Sequence, residues 1–211
     1  MVDIEYYFSL ISPYAYLGHA AVLEAAQASG ARLVYKPVRI FELFAANGGL
    51  PLGQRAPARQ RYRLYELQRA REQRALPLNL APKFFPVDPG LADRCAIALV
   101  EGGADPAAYM DAAFRAIWAH DQDLADRDTV ARLLRDHGHD AEATIAAAGT
   151  AEVAARYQDY TAQAIAADLP GLPGYVLRGE PFWGQDRVEA LREALLSARA
   201  PYRIDDGGRA S

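Results

Sequence analysis

Residues 2–15 read Val2-Asp3-Ile4-Glu5-Tyr6-Tyr7-Phe8-Ser9-Leu10-Ile11-Ser12-Pro13-Tyr14-Ala15, and their hydrophobic period changes partway along. Val2, Ile4, Tyr6 and Phe8 alternate with Asp3, Glu5 and Tyr7, the two-residue period of a half-buried strand. Ser12-Pro13 then opens an Ala/Leu-rich segment. Serine caps the free N–H groups of a helix start, and the fixed φ of proline suits the first turn. Gly30 supplies the stop, and Arg32 to Val38, with Leu33, Val34 and Tyr35, reads as a second strand. The opening is therefore strand, helix, strand, a unit whose two strands are expected to pair in parallel.

Helical patterns dominate the middle of the chain, at about 57–75, 91–102, 106–119, 127–137 and 150–167, with little strand signal. Asn47-Gly48-Gly49 and the proline-rich run from Pro77 to Pro89 break this region into pieces. The end changes character again. Gly174 to Arg178 and Pro181 to Trp183 flank Gly179-Glu180 as a hairpin, and Gln185 to Arg199 carries Val188, Leu191, Leu195 and Leu196 on one helical face. A β-α-β order at the start and β-β-α at the end is that of an α/β thioredoxin fold carrying a large all-helical insertion. The expected division is 1–41 with 166–211 for the thioredoxin-like domain, and 42–165 for the insertion.

Composition removes several function classes. Of 211 residues, 51% are hydrophobic and 24% charged, an ordinary globular balance. The net charge of −4 lacks the basic excess of a nucleic-acid surface, so no such partner is expected. No apolar run approaches the ~20 residues that span a bilayer, and no membrane partner is expected. The N-terminal MVDIEYYF has no basic segment leading into an apolar one, which points to a cytoplasmic protein. Cys95 is the single cysteine, so an intrachain disulfide and a four-cysteine zinc site are excluded, and no metal is expected.

In a strand–helix unit the chemistry belongs at the helix N-terminus, where free N–H groups and the positive end of the helix dipole stabilise a thiolate. Redox enzymes of this fold place Cys-x-x-Cys there. Here Ser12-Pro13-Tyr14-Ala15 stands instead, so thiol–disulfide exchange at this position is ruled out. Ser12 reads two ways: as a simple helix cap, or as a hydroxyl that donates to a thiolate carried by a ligand. Leu172-Pro173-Gly174 precedes the third strand, where the thioredoxin fold keeps a cis-proline beside the catalytic helix. Whether this X-Pro bond is cis or Pro173 is an ordinary loop residue stays open at the level of sequence.

These residues carry a resemblance. FSLISPYAYLG (8–18) and GLPGYVLRGEPFWGQDRV (171–188) are similar to the 2-hydroxychromene-2-carboxylate isomerase family, in the DsbA-like branch related to kappa-class glutathione transferases. The middle resembles it more loosely, in Phe44-Ala45-Ala46-Asn47-Gly48, Pro57-Ala58-Arg59-Gln60-Arg61-Tyr62, Phe85-Pro86 leading to Arg94, and Trp118. The resemblance implies a glutathione-dependent cis–trans isomerase that interconverts 2-hydroxychromene-2-carboxylate and trans-o-hydroxybenzylidenepyruvate through a transient glutathione adduct. It implies that Ser12 stabilises the thiolate, that Pro13, Leu172 and Pro173 hold the glutathione backbone, and that Gln185 and Asp186 receive the γ-glutamyl end. A carboxylate suits the ammonium there, although Asp186 reads equally as an N-terminal helix charge. Tyr14, Asn47, Arg59, Phe85 and Trp118 would line the side of an aromatic small-molecule substrate, and a homodimer is implied. Two alternatives remain: a kappa-like transferase that conjugates glutathione to an electrophile, and a non-catalytic glutathione-binding or interaction module.

The sequence departs from the family at three places. Arg59 stands where lysine is usual, Gly174 where threonine is common after the proline, and Asp88 where asparagine is usual. Other features read as structural. Arg55, Arg59, Arg61, Arg63, Arg69, Arg71 and Arg74 form a solvated face interspersed with Glu66 and Glu72, with one or two placed to steer an anionic substrate. His137-Gly138-His139-Asp140 is too short a cluster to argue a metal, and His19, His120 and Cys95 read as structural. Tyr6, Tyr7, Phe8, Phe84 and Phe85 are candidates for a pocket floor, with core packing as the default.

Overall fold

The alternation in the first eight residues places Ile4, Tyr6 and Phe8 on one face of the first strand and Tyr7 on the other. A computed structural model of the chain describes residues 1–197 and 199–204. β1 (Asp3–Phe8) lies in a four-stranded sheet of order β2-β1-β3-β4, with β2 at Arg32–Pro37, β3 at Gly174–Leu177 and β4 at Glu180–Trp183. β1 and β2 are parallel, and β3 runs antiparallel to both β1 and β4. Tyr6 pairs with Tyr35 and Tyr175 in register, so the N-terminal unit and the C-terminal hairpin meet in one sheet.

Between β1 and β2 lies α1 (Pro13–Ser29), which starts at the cap and stops at the glycine that the sequence marks. Between β2 and β3 the described residues form α2 (Ile40–Asn47), a 3-10 turn at Leu52–Gln54, α3 (Pro57–Arg74), α4 (Gly90–Glu101), α5 (Ala107–Trp118), α6 (Arg127–Asp136), α7 (Ala141–Ala148) and α8 (Ala151–Ala166). This is the α/β thioredoxin fold with a helical insertion. α2 and α7 escape a periodicity search because each is only eight residues long, too short to show a full hydrophobic repeat.

Two corrections concern the C-terminal part. Arg178 and Gly179 take φ values of 53° and 85°, so they form the hairpin turn and Glu180 opens β4 as the partner of Leu177. Gln185–Arg187 is a 3-10 turn, and α9 runs from Val188 to Leu196, shorter than the 185–199 expected. The expected helix passes through residue 198, and the expected domain ends at 211; both lie outside the described residues.

α1 and α9 pack together against one face of the sheet, where Tyr6, Tyr175, Leu177 and Phe182 join a core that continues through α4 and α5. Tyr7 and Val176 face the opposite side with Val38, Leu43, Ala164 and Leu172, under α2 and α8. Tyr6, Tyr7 and Phe8 are fully buried core residues. Cys95 is also buried, which pushes its thiol up to about 12 and leaves it unreactive.

Candidate active site

Ser12 stands where β1 gives way to α1, and every residue from Ser9 to Pro13 is buried. Its N–H donates to the carbonyl of Ser9 at 2.9 Å, closing the turn that aims its side chain. The hydroxyl oxygen accepts the Ala15 N–H at 3.2 Å, so Ser12 is a helix cap. The same hydroxyl donates to the carbonyl of Leu172 at 3.4 Å, from 160 residues away along the chain. The Leu172–Pro173 bond is cis. Gly184 N–H holds the carbonyl of Pro173 at 2.9 Å, while the β1–β3 ladder begins only at Gly174. The hydroxyl at the helix start and the residue before the proline thus form one site. Ser12 itself is only 3% exposed.

Asp93 of α4 fixes this loop from the core side. It is fully buried and accepts three hydrogen bonds: Leu10 N–H at 2.9 Å, Ser9 O–H at 3.0 Å and Tyr157 O–H at 2.7 Å. Burial pushes its carboxyl up to about 7, against the opposing pull of those three donors. Asp93 was missed in the sequence. Its only signal is a carboxylate within the mostly apolar run from Leu91 to Leu99.

A second group of side chains stands beyond Tyr14. Phe85 and Trp118 meet with ring centroids 5.0 Å apart, and the Arg63 guanidinium lies 5.5 Å from the first ring and 6.0 Å from the second. Arg63 and Phe85 border a cavity of about 400 Å³ lined also by Leu52, Gln60, Arg61, Leu64 and Leu80, among others. Trp118 is fully buried, so it backs the wall that Phe85 presents to the cavity. Tyr14 is half-buried, which raises its phenol pKa, and it lies within electrostatic reach of Arg63, Glu66, Arg55 and Asp186. Arg63 corrects the reading of α3 as a solvated arginine face: it is 8% exposed, in line with Leu67 and Ala70 on the buried stripe. A larger hollow of about 480 Å³ on α9 is lined by exposed residues such as Glu189 and Arg192, and involves none of these groups.

The remaining expected site residues are distributed unevenly. Gln185 is held by Arg74, whose guanidinium donates to its carbonyl at 3.0 Å and to its side-chain oxygen at 3.2 Å. Gly18 lets α1 approach this turn, since a side chain there would meet Gln185 Cβ at 3.0 Å. Asp186 is exposed and pairs with Arg187 at 3.1 Å. Asn47 donates to the carbonyl of Leu169 at 3.0 Å and tethers α2 to the segment before Pro173. Arg59 is exposed in the first turn of α3, outside the cavity lining. Asp88 accepts the Gly90 N–H at 2.9 Å in the turn that leads into α4.

Gly174 has a packing reason. A Cβ there would meet Leu169 Cδ1 at 2.6 Å, so Leu169 fills the space that a larger residue would need. Gly174→Ala is expected to destabilise the protein by about 1–3 kcal/mol. Thermal unfolding checks this, and an unchanged midpoint would mean that Leu169 moves aside freely.

The sheet order, the helix-start hydroxyl and the adjacent cis-proline define a class, and the profile of the DSBA-like thioredoxin domain matches residues 3–196. The chain belongs to that family. Within it the chain resembles 2-hydroxychromene-2-carboxylate isomerases. It is 28% identical over 195 residues to that of Sphingobium xenophagum, covering 92% of this chain and 97% of the relative. The Pseudomonas putida isomerase is 26% identical, covering 91% and 93%. A solved 2-hydroxychromene-2-carboxylate isomerase superposes with a TM-score of 0.75 at 24% identity, over 93% of this chain and 95% of that one. The cytosolic disulfide reductase DsbM of Pseudomonas aeruginosa, solved with GSH, has the same fold at a TM-score of 0.67 and 17% identity, over 93% and 100%.

Proposed function

We propose that the protein is a glutathione-dependent cis–trans isomerase of a conjugated aromatic acid, interconverting 2-hydroxychromene-2-carboxylate and trans-o-hydroxybenzylidenepyruvate. The similarity to named isomerases supports an enzyme of this type. The observation that carries the reading is the Ser12 hydroxyl at the N-terminus of α1, 3.4 Å from the carbonyl before cis-Pro173.

The residues present fit glutathione. Leu172 lies ahead of the sheet ladder, and the exposed carboxylate of Asp186, now paired with Arg187, would take the ammonium of glutathione. Bound glutathione would supply a thiolate that adds reversibly to the conjugated substrate and lowers the barrier to rotation. Ser12 would hold that thiolate: its 3.4 Å contact to Leu172 is long and readily exchanged for a charge-assisted one. The free N–H groups of the first turn of α1 would add to the same effect. In this reading residues 1–41 and 166–211 hold glutathione, and 42–165 supplies the substrate side. The protein would act in the cytoplasm as a homodimer.

Calorimetric titration of glutathione from about pH 6 to about pH 9 tests the site. Binding with thiol proton release, weaker in Ser12→Ala, is expected; no binding at millimolar glutathione would end the proposal. A chlorinated nitroaromatic distinguishes the chemistry. An isomerase leaves little stable conjugate, whereas accumulation would make the protein a conjugating transferase.

A further inference from the structure

Among the described residues no carboxylate pairs with Arg63. Its guanidinium has aromatic faces beside it, and the ionisable groups that act on it are the Tyr14 phenol and a second cation, Arg55. Glu66, one turn along α3, is paired with Arg69 at 2.8 Å. Among the described residues no carboxylate or carbonyl accepts from Arg63. An arginine withdrawn from water is costly unless it is paired, and cation–π contacts offset only part of that cost. Trp118 beside it is fully buried, and its indole N–H has no acceptor among the described residues. Arg63 lines the cavity, so an acceptor from outside the chain can reach its guanidinium.

The cavity indicates what carries that acceptor. Leu52, Leu64, Leu80, Ala81, Pro82 and Phe85 make its walls largely apolar, with Gln60 and the exposed Arg61 at its polar edge and Arg63 as the buried charge. A volume of about 400 Å³ lies in the range of small-molecule sites. We infer that this cavity binds a planar aromatic carboxylate, with Arg63 holding the carboxylate as a bidentate partner and Phe85 lying against the conjugated body. Arg63 is thus the residue that selects an acid over a neutral analogue. The inference deepens the proposed isomerase reading by naming how its substrate is recognised. It rests on that reading for the identity of the acid, but not for the binding itself.

The probes are trans-cinnamate, its neutral amide and glutathione, each titrated separately by calorimetry. Wild-type protein is expected to bind cinnamate at least tenfold more tightly than cinnamamide, with no glutathione present. Arg63→Met is expected to erase that preference and leave glutathione affinity within about twofold. Arg63→Lys, which keeps the charge but not the planar fork, should fall between them. Equal binding of acid and amide by the wild type, or no binding of either, overturns the inference without any variant. Loss of glutathione affinity in Arg63→Met, with cinnamate binding intact, would assign the arginine to a carboxylate of glutathione and overturn it as well. Failure of glutathione to bind, with cinnamate bound as expected, would remove the isomerase proposal and leave the carboxylate site standing.

Discussion

Ser12→Ala is expected to lower kcat for glutathione-dependent isomerisation of 2-hydroxychromene-2-carboxylate by about ten- to a hundredfold. A hydrogen bond to a charged partner is worth ~1.5–3 kcal/mol, and each ~1.4 kcal/mol of barrier is a factor of ten. The same change also removes the cap on Ala15 N–H, at a further cost in stability of ~1 kcal/mol. The two effects separate cleanly: the cap alters the melting temperature, and thiolate stabilisation alters turnover in the folded protein. Turnover equal to wild type, with the midpoint lowered, would leave Ser12 as a cap and nothing more.

Asp93 is the second position where a large effect is expected. Its carboxyl is raised from 3.8 to about 7 in the folded protein. The stability this contributes is complete below about pH 4 and is lost as pH rises towards about 7, where the folded carboxyl ionises. The rise corresponds to roughly 4 kcal/mol. Asp93→Asn keeps an acceptor for Leu10 N–H and cannot ionise, so its unfolding free energy should lack this decline. Above neutrality it should match or exceed wild type. His19, whose pKa is lowered by burial, acts in the opposite sense, so the difference between the two proteins isolates Asp93. Urea unfolding at a series of pH values measures it, and parallel curves would show that Asp93 does not titrate differently on folding. Asp93→Ala removes the acceptor from Leu10, Ser9 and Tyr157 together, and should cost several kcal/mol. Turnover should fall as well, since Ser9 and Leu10 lead directly into Ser12.

Much of this site was legible in the order of residues. Ser12-Pro13 announces the cap and the first turn, and both are found where expected. Pro173 sits beside that cap because the hairpin after it pairs with β1. Arg63 and Asp93 were not legible as site residues, for one reason. A charge in a helix reads as solvent-facing until its surroundings are known. Arg63 occupies a buried stripe otherwise formed by Leu67 and Ala70, and Asp93 lies in a helix buried along most of its length. Gly174 reads as an oddity in the sequence and becomes intelligible only against Leu169.

By itself the sequence determined the elements that local rules govern: the alternating first strand, the capped helix after it, the parallel return strand, the C-terminal hairpin and the absence of a cysteine at the helix start. Each depends on residues within a few positions of one another, where backbone sterics and side-chain period decide the outcome. Tertiary structure alone decided which distant groups meet. Ser12 reaches Leu172 across 160 residues, Asp93 reaches Leu10 across 83, and Arg63 is left with aromatic rings and, among the described residues, no anion. Burial energetics set those partnerships, because a charge or hydroxyl withdrawn from water takes its role from whatever the fold places opposite it.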